Sequence, residues 1–283
     1  MRRFGFHVSI SGGIFNAPAF ALLEGYKAFQ FFPSSSRTWE VKDIGEVDAK
    51  KFVSISEDND ILPFAHIPYL CNPASPETEV IRKSKRMLVE SMGICSRLKT
   101  RHIVVHLGSH KGKGIDGGIS SILEVLKHAL DSVKGVDILL ENTSGYRNSV
   151  GSNFSEIGRI IDGIGSKRIG LCFDTCHAFA AGYDLRSEAG TERTVGEVDS
   201  EVGLERLKLV HLNDAKYPLG SRLDRHWHIG KGHIGRKGFV NLFRNKAFAS
   251  GNFIMETPFN EEGDDKSNMR AVESILIEAE GKR

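Results

Sequence analysis

The segment Gly170-Leu171-Cys172-Phe173-Asp174-Thr175-Cys176-His177 is a short apolar run that ends on a carboxylate, with an imidazole three residues later. An apolar run of this length is typical of a buried strand. A carboxylate at its end must be hydrogen-bonded or bound to a cation, because an unpaired buried charge is costly. Asp and neutral His side chains together suit zinc or a similar divalent ion. The alternative is that Asp174 caps the following helix and that both cysteines are small core residues.

The same pattern recurs along the chain, and its repetition predicts the fold. Eight short apolar segments have the character of strands, namely residues 4–8, 27–32, 61–67, 102–106, 136–140, 169–174, 207–211 and 253–256. Helical periodicity between them is clearest over 77–98 and 119–133. Alternating strands and helices indicate a parallel sheet with crossover helices. Eight such units in 283 residues favour an α/β fold, a closed (β/α)8 TIM barrel.

Composition is compatible with this fold and excludes several classes of protein. Hydrophobic residues make up 40% and charged residues 26% of the chain, which is ordinary for a globular protein. The net charge of +2 gives no bulk nucleic-acid signal, and four cysteines are too few for a disulfide scaffold. We find no run of 18 apolar residues, no apolar leader after Met1 and no composition break. We therefore expect one domain over residues 1–283, soluble, cytoplasmic and independent of membranes.

An open, doubly wound sheet is the alternative fold. Such a sheet usually binds a nucleotide through a glycine-rich turn after its first strand. Here Gly12 and Gly13 follow the first predicted strand without the rest of that fingerprint. The sequence therefore favours the closed barrel.

Residues able to bind a metal recur at the same position relative to the predicted strands, namely at the strand ends. Six of the eight strands end in or lead directly into such a residue: His66, His106, Glu141, Asp174, His211 and Glu256. They are spaced 33 to 45 residues apart, about one strand–helix unit of a large barrel. A single strand-end histidine is more often only hydrogen-bonded, but six in phase should converge at the C-terminal face of the barrel, where barrel active sites lie.

Three further ligand-type residues lie in predicted loops at the same face. His177 follows the sixth strand, and Asp224 and His226 follow the seventh with a spacing that lets both reach one ion. These three form a plausible separate His₂Asp site. The six strand-end groups then suffice for a pair of metals that share a carboxylate. A paired metal site suits phosphoryl displacement, because it stabilises both the attacking and the leaving oxygen.

These motifs resemble the endonuclease IV family of zinc-dependent apurinic/apyrimidinic endonucleases, over nearly the whole chain. The longest matching strings surround proposed ligands: Leu171-Cys172-Phe173-Asp174-Thr175-Cys176-His177, His211-Leu212-Asn213-Asp214-Ala215-Lys216, Asp224-Arg225-His226, His66-Ile67-Pro68-Tyr69-Leu70 and Glu141-Asn142-Thr143. All nine ligand positions of that family are filled in this chain.

The resemblance implies three zinc ions per chain, with partial replacement by manganese. His66, His106 and Glu141 would bind the first ion. The bridging Glu141, with Asp174, His211 and Glu256, would bind the second ion. The third ion would be bound by His177, Asp224 and His226. Glu141 and Glu256 are the residues expected to be catalytic.

The family reaction is hydrolysis of the phosphodiester 5′ to an abasic site in duplex DNA, leaving a 3′-hydroxyl, together with removal of blocking groups from 3′ ends. The expected partner is therefore double-stranded DNA containing abasic sites or blocked 3′ ends, and we expect a monomer. The resemblance also implies DNA contacts by Arg37, Tyr69 and Leu70. An aromatic and an apolar wedge can enter the stack where a base is missing. The alternative for Tyr69 and Leu70 is loop packing against the barrel.

Basic residues in the predicted rim loops could neutralise phosphates even though the whole chain is near neutral. They are Lys111, Lys113, Arg147, Arg222, Arg225, Lys231, Arg236 and Lys237. The chain departs from the family pattern at four positions, none of them a proposed ligand. Ser34 and Ser35 stand where the family usually has Lys-Asn, Cys71 replaces an aliphatic residue, and Lys231 replaces a common Glu. These differences concern the DNA contacts and the lesion preference.

Two other functions fit part of the pattern. A sugar isomerase or epimerase on a related metal barrel would need fewer metals and neither the Asp224–His226 motif nor the Tyr69–Leu70 loop. A zinc- or DNA-binding module without catalysis would retain the ligands but not cut DNA. Turnover of a ketose, compared with incision of an abasic duplex, separates these possibilities from an endonuclease.

Overall fold

Eight parallel strands and their crossover helices make up the computed structural model, which describes residues 1–35 and 37–281. The strands, with a short hairpin numbered in chain order, are β1 (Arg2–Phe6), β2 (Ala28–Phe31), β3 (Leu62–His66), β4 (His102–His106), β5 (Asp137–Glu141), β6 (Ile169–Asp174), β7 (Leu207–His211), β8 (Asp214–Ala215), β9 (His226–Trp227) and β10 (Gly251–Met255). The helices are α1 (Asn16–Leu23), α2 (Glu46–Asp58), α3 (Thr78–Arg97), α4 (Ile115–Ser132), α5 (Phe154–Ile164), α6 (Thr175–Ala181), α7 (Glu188–Glu201), α8 (Gly235–Arg244) and α9 (Asp265–Glu280).

The eight-stranded sheet has the order β1-β10-β7-β6-β5-β4-β3-β2, and its two end strands approach each other. A parallel bridge joins His7 to Gln30. The backbone N–H of Lys27 donates to the carbonyl of Phe4 at 3.0 Å, and that of Val8 donates to the carbonyl of Gln30 at 2.8 Å. The predicted TIM barrel is therefore confirmed.

Element boundaries differ from the predicted ones by a few residues. The first strand begins at Arg2 and ends before His7, and β10 ends at Met255, so that Glu256 follows its strand directly. The predicted helix 119–133 begins earlier, at Ile115. The sequence did not predict the β8–β9 hairpin, because two-residue strands have no periodicity to detect.

The barrel interior is closed by one layer of buried apolar side chains, called here the interior layer. Its members are Ala28, Phe64, Val104, Leu139, Cys172, Leu209 and Ile254. Side chains on a strand alternate between its two faces, so the residue two positions further along points into the barrel again. Two positions beyond each member lies a polar residue. With His7, which directly follows β1, these residues form the polar ring: His7, Gln30, His66, His106, Glu141, Asp174, His211 and Glu256.

A second and larger core lies between the outer faces of the strands and the helices. All four cysteines are free and buried, as expected for a chain without a disulfide scaffold. Among the residues that the structure describes, no helix is both long enough and apolar enough to cross a membrane.

Barrel closure depends on Gly5, and we expect Gly5→Ala to destabilise the fold strongly. A Cβ at this position would lie 1.6 Å from the carbonyl oxygen of Ala28, a backbone atom that cannot rotate away. We expect a loss of about 3 kcal/mol or more in the free energy of unfolding, the upper part of the range for overpacking. Gly196→Ala is the control, because nothing lies within 4 Å of its Cβ position in α7. Chemical denaturation of both variants tests this, and equal stabilities would contradict it.

Candidate metal centre

The polar ring brings the six strand-end residues predicted from the sequence to one end of the barrel. Five of the six side chains lie at the ends of β3 to β7, and Glu256 follows β10. His66, Glu141, Asp174 and His211 are fully buried. Burying so many ionisable groups together is costly unless they are paired or bind a cation. The described residues contain three groups of side chains whose ligand atoms lie within 4.8 Å of one another.

The first group consists of His66, His106 and Glu141. The Nε2 atoms of both imidazoles approach Glu141 Oε2, at 3.3 Å from His66 and 3.2 Å from His106. His66 Nδ1 donates to the carbonyl of Ile67 at 2.7 Å. That bond leaves the Nε2 lone pair of His66 pointing into the group, which is the usual arrangement for a metal-binding histidine.

The second group consists of Glu141, Asp174, His211 and Glu256, so Glu141 belongs to two groups. His211 Nδ1 lies 2.9 Å from Glu141 Oε1 and 3.3 Å from Glu256 Oε2. It also lies 3.9 Å from Asp174 Oδ2. Three carboxylates around one imidazole give a site rich in hard oxygen ligands, which suits a divalent cation.

The third group is formed by Asp174, His177 and His226, with Asp224 beside them. His177 Nε2 lies 3.1 Å and His226 Nε2 lies 3.6 Å from Asp224 Oδ1. His226 Nε2 also lies 3.5 Å from Asp174 Oδ2. The predicted trio of His177, Asp224 and His226 thus comes together, and the structure adds Asp174 as a carboxylate at its inner side.

The orientation of the two histidines in the third group fits a bound metal. His177 Nδ1 donates to the carbonyl of Asn142 at 3.0 Å, and His226 Nδ1 donates to the carbonyl of Glu256 at 3.2 Å. Their Nε2 atoms are buried and have no well-formed hydrogen bond within the described part of the chain. Buried polar atoms are almost always satisfied, so two imidazole nitrogens aimed at one point indicate a missing partner such as a cation.

The imidazoles and carboxylates of the site shift one another's pKa values. Burial alone would raise the pKa of the Glu141 and Glu256 carboxyls, but nearby imidazoles, chiefly His106 for Glu141 and His211 for Glu256, place both pKa values well below the usual range. Burial lowers the pKa of His106 to about 4. Burial acts the same way on His177, but surrounding carboxylates outweigh it and raise its pKa well above the ordinary value. A cation that enters the site would therefore displace protons from imidazole.

Asp174 caps a helix and also faces the site, so the two alternatives considered from the sequence do not exclude each other. Its Oδ1 accepts from the backbone N–H of His177 at 2.6 Å, which caps α6. Its Oδ2 accepts from Asn213 Nδ2 at 2.8 Å and faces the metal-site imidazoles. Asn213 Oδ1 in turn accepts from the backbone N–H of Glu256 at 2.8 Å. Helix capping and participation in the site are thus compatible, and Asn213 links the Asp174 carboxylate to the backbone of Glu256.

Sequence reasoning did not assign a role to three residues that complete the site. His7 and Gln30 are the remaining members of the polar ring, and Asn213 supports Asp174. The signal for His7 and Gln30 was available, because each lies at the same inward phase of its strand as the ligand-type residues. Gln30 has no signal in its residue type, because glutamine is not among the usual metal ligands.

A cavity of about 290 Å³ opens over the three groups. It is lined by Tyr69, His106, His177, Asp224, Arg225, His226, Glu256 and Pro258. The Tyr69 side chain is 62% exposed, and its ring centroid lies 5.6 Å from that of His66 and 5.3 Å from that of His106. Tyr69 therefore stands at the mouth of the site and is not packed into the barrel. Leu70 is half-buried, and Arg37 is exposed.

The predicted basic residues do not all face the cavity. Arg225 lines it, while Arg147 and Arg222 line a neighbouring cavity of about 730 Å³. Arg236 was predicted in a rim loop but lies in α8, and its guanidinium contacts the carboxylate of Glu278 on α9 at 2.9 Å. Lys111 pairs with the carboxylate of Glu77, and Lys231 donates to the carbonyl of Glu262.

The departures from the family pattern differ in exposure. Ser34 and Cys71 are buried, so they affect the packing beneath the loops. Ser35 is exposed, and its Oγ accepts from the backbone N–H of Arg37 at 3.3 Å. Ser35 and Lys231 are therefore the departures that lie on the surface.

Comparison with known proteins identifies the family. Residues 19–275 match the family model described as "Xylose isomerase-like TIM barrel". A Methanoculleus marisnigri protein named "Probable endonuclease 4" is 44% identical over 275 residues, which cover 96% of this chain and 98% of that protein. The chain belongs to the endonuclease IV family. A Thermotoga maritima protein of the same name is 38% identical over 287 residues, covering 99% and 100% of the two chains.

Solved structures agree with membership of the endonuclease IV family. The crystal structure of endonuclease IV from Thermus thermophilus matches with a TM-score of 0.87 and 33% identity over 98% of this chain and 99% of that chain. A D-tagatose 3-epimerase-like protein matches with a TM-score of 0.75 but only 20% identity, over 99% of each chain. At that identity the likeness concerns the fold alone, so the sugar epimerases share the barrel without supporting an epimerase activity here.

Proposed function

We propose that this endonuclease IV family member is a zinc-dependent DNA-repair enzyme that hydrolyses the phosphodiester 5′ to abasic sites in duplex DNA. We extend the proposal to removal of blocking groups from 3′ ends, since both reactions cleave a phosphodiester next to a 3′ oxygen. The observation that supports it most is the set of three ligand groups around one open cavity, joined by Glu141 and Asp174.

The proposed ligands divide into three sets, each suited to one Zn²⁺. The first set is His66, His106 and Glu141, and the second is Glu141, Asp174, His211 and Glu256. The third set is His177, Asp224 and His226. Nitrogen and oxygen ligands without thiolate also accept Mn²⁺, so partial replacement by manganese is part of the proposal. One chain carries every proposed ligand, and a monomer is therefore sufficient.

The reaction is a displacement at phosphorus. The oxygen of a water molecule bonds to phosphorus, and the bond from phosphorus to the 3′ oxygen of the upstream nucleotide breaks. That 3′ oxygen takes up one proton and the attacking water loses one, which leaves a 3′-hydroxyl and a 5′-phosphate. Divalent cations, when bound, supply positive charge to the phosphate and make water more acidic.

The residues of this chain orient the reactants. One carboxylate oxygen of Glu256 accepts a hydrogen bond from Gln30 Nε2 at 2.6 Å. Its other oxygen lies 3.3 Å from His211 Nδ1. A carboxylate fixed in this way can accept a hydrogen bond from the attacking water and align it with phosphorus. Glu141 joins the first and second ligand groups and so sets the distance between them.

DNA recognition is proposed for the exposed groups around the cavity. Tyr69 and Leu70 follow the β3 ligand His66 along the chain and would insert where a base is missing. Arg37 is exposed after β2 and would contact phosphate or fill the gap in the duplex. Arg225 lines the metal cavity and is placed to contact phosphate there.

The proposal predicts both metal content and incision. Protein purified without chelator should contain about three divalent ions per chain, mostly zinc, because three ligand sets are present. The same preparation should cut a duplex with one tetrahydrofuran abasic analogue and leave a 3′ end that a DNA polymerase can extend. One ion or fewer per chain, or turnover of a ketose without incision, would contradict the proposal. Bound metal without incision would instead indicate a binding module.

A second prediction concerns the affinity for DNA. We expect Tyr69→Ala and Arg37→Ala each to weaken binding of abasic duplex by about 5- to 150-fold, since losing one stacking or inserted side chain costs about 1–3 kcal/mol. Zinc content should not change, because neither residue belongs to a ligand group. Tyr69→Phe is the matched control, because it keeps the ring and should retain most of the affinity. Binding measured by fluorescence anisotropy at fixed salt tests this, and parental affinity in either alanine variant would remove that residue from the DNA interface.

A further inference from the structure

Two members of the polar ring, His7 and Gln30, are not among the proposed ligands. Gln30 is the only glutamine in the 283-residue sequence. It lies on β2, across the barrel mouth from β7, and its side chain is fully buried. A buried primary amide at the edge of a metal site must satisfy one acceptor and two donors, so its contacts define its orientation.

The contacts of Gln30 determine how its neighbours are oriented. Its Oε1 lies 2.8 Å from His211 Nε2. Its Nε2 lies 2.6 Å from Glu256 Oε1 and 3.0 Å from His7 Nδ1. The amide nitrogen can only donate to the carboxylate, and therefore the oxygen must face His211. Rotating the amide by half a turn would set its oxygen against a carboxylate.

The orientation of the amide fixes the imidazole of His211. Because Gln30 Oε1 can only accept, His211 Nε2 must carry a proton and donate it. When His211 is neutral, its lone pair is then on Nδ1, the atom that faces Glu141 and Glu256 at 2.9 and 3.3 Å. The opposite tautomer would present an N–H to the site and could not bind a cation.

We propose that Gln30 is a positioning residue of the metal centre, which selects the metal-binding tautomer of His211 and turns the Glu256 carboxylate toward the same ion. This inference rests on the proposed function, in which His211 and Glu256 are ligands of the second zinc. Partners of this kind orient the groups that bind the metal, and their loss typically costs 10- to 100-fold in metal affinity or activity.

The first test uses Gln30→Met, which keeps the length of the side chain and removes its donor and acceptor atoms. We expect zinc affinity, measured by competition with a chromogenic chelator, to fall about 10- to 100-fold. At saturating zinc, kcat for incision should fall about tenfold while KM for the duplex changes less than about twofold. Asn241→Leu is the control, because it removes a buried amide that contacts the carbonyl of Arg186, outside the site. It should lower stability and leave zinc affinity unchanged.

The second test uses the single glutamine directly. Protein made by cell-free synthesis with glutamine labelled by ¹⁵N at the amide should give one pair of side-chain amide signals. These signals should exchange slowly with solvent and should shift as zinc is added to metal-free protein. Their absence from Gln30→Met confirms the assignment. Signals that exchange rapidly and do not respond to zinc would overturn the proposal.

The outcomes separate this inference from the proposed function. Parental zinc affinity and parental kcat in Gln30→Met would overturn the role of Gln30, even if the parent protein cuts abasic duplex. Amide signals that follow zinc binding, in a parent protein that does not cut DNA, would support the positioning role and refute the endonuclease activity.

Discussion

Glu141→Gln should abolish most of the incision of abasic duplex and release most of the bound metal. Glu141 belongs to the first and second ligand groups, with Oε2 near His66 and His106 and Oε1 near His211. An amide keeps the volume but removes the negative charge that the first and second ligand groups share, and both proposed ions would lose it. We expect metal content to fall from about three ions to about one, and single-turnover incision to fall at least about a thousandfold, the upper range for one lost electrostatic contributor.

A matched control distinguishes loss of the bridge from general damage to a buried carboxylate. Asp214 is also buried, but it accepts from backbone N–H groups, among them those of Gly232 and Ile234 at 2.9 Å. Asp214→Asn should lower the melting temperature and leave the metal content near three. Elemental analysis and melting curves on both variants test this. Full metal content in Glu141→Gln would rule out the bridging role.

Glu256→Gln should lower kcat by at least about a hundredfold, the lower range for lost acid–base assistance. Gln30 Nε2 donates to the Glu256 carboxylate, and the backbone N–H of Glu256 donates to Asn213 Oδ1, so the substitution changes the charge of the side chain more than its position. Binding of abasic duplex should change much less, because the proposed DNA contacts lie elsewhere. The alternative is that Glu256 only stabilises the rim, in which case the melting temperature would fall and turnover of the folded fraction would stay normal.

Single-turnover incision, metal content and melting temperature of Glu256→Gln should be measured on one preparation. Glu261→Gln is the control, because Glu261 is exposed in the loop that follows. It should match the parent in all three measurements. Normal incision with full metal content in Glu256→Gln would refute its catalytic assignment.

The barrel and most of its site could be predicted from the sequence because both depend on one periodicity. Side chains alternate along a strand, so an apolar residue such as Leu139 or Cys172 on the interior predicts that Glu141 or Asp174, two positions later, also faces inward. In a barrel of parallel strands all such positions meet at one face. The spacing of the strand-end residues along the chain was therefore enough to predict that they lie close together.

Contacts across the barrel could not be predicted in the same way. Gln30 lies 181 residues from His211 and 226 residues from Glu256, and no local pattern connects them. The position of His226 depends on the β8–β9 hairpin, whose pairing of Ala215 with His226 spans a loop without periodicity. The contact of Arg236 with Glu278 likewise joins α8 to α9, and the pairing of two helices leaves no local pattern in the sequence.

The interior layer would also determine the route by which the proposed ions exchange. Its seven side chains are buried and apolar, so they offer no polar partner to an ion moving through the barrel. Ions must then enter and leave through the cavity bordered by Tyr69 and Glu256, on the side that a bound duplex would cover. A duplex bound there would block the cavity, and it should slow the release of zinc to a chelator as long as it stays bound. The lifetime of the complex on its DNA would then set the lifetime of the metals in the protein.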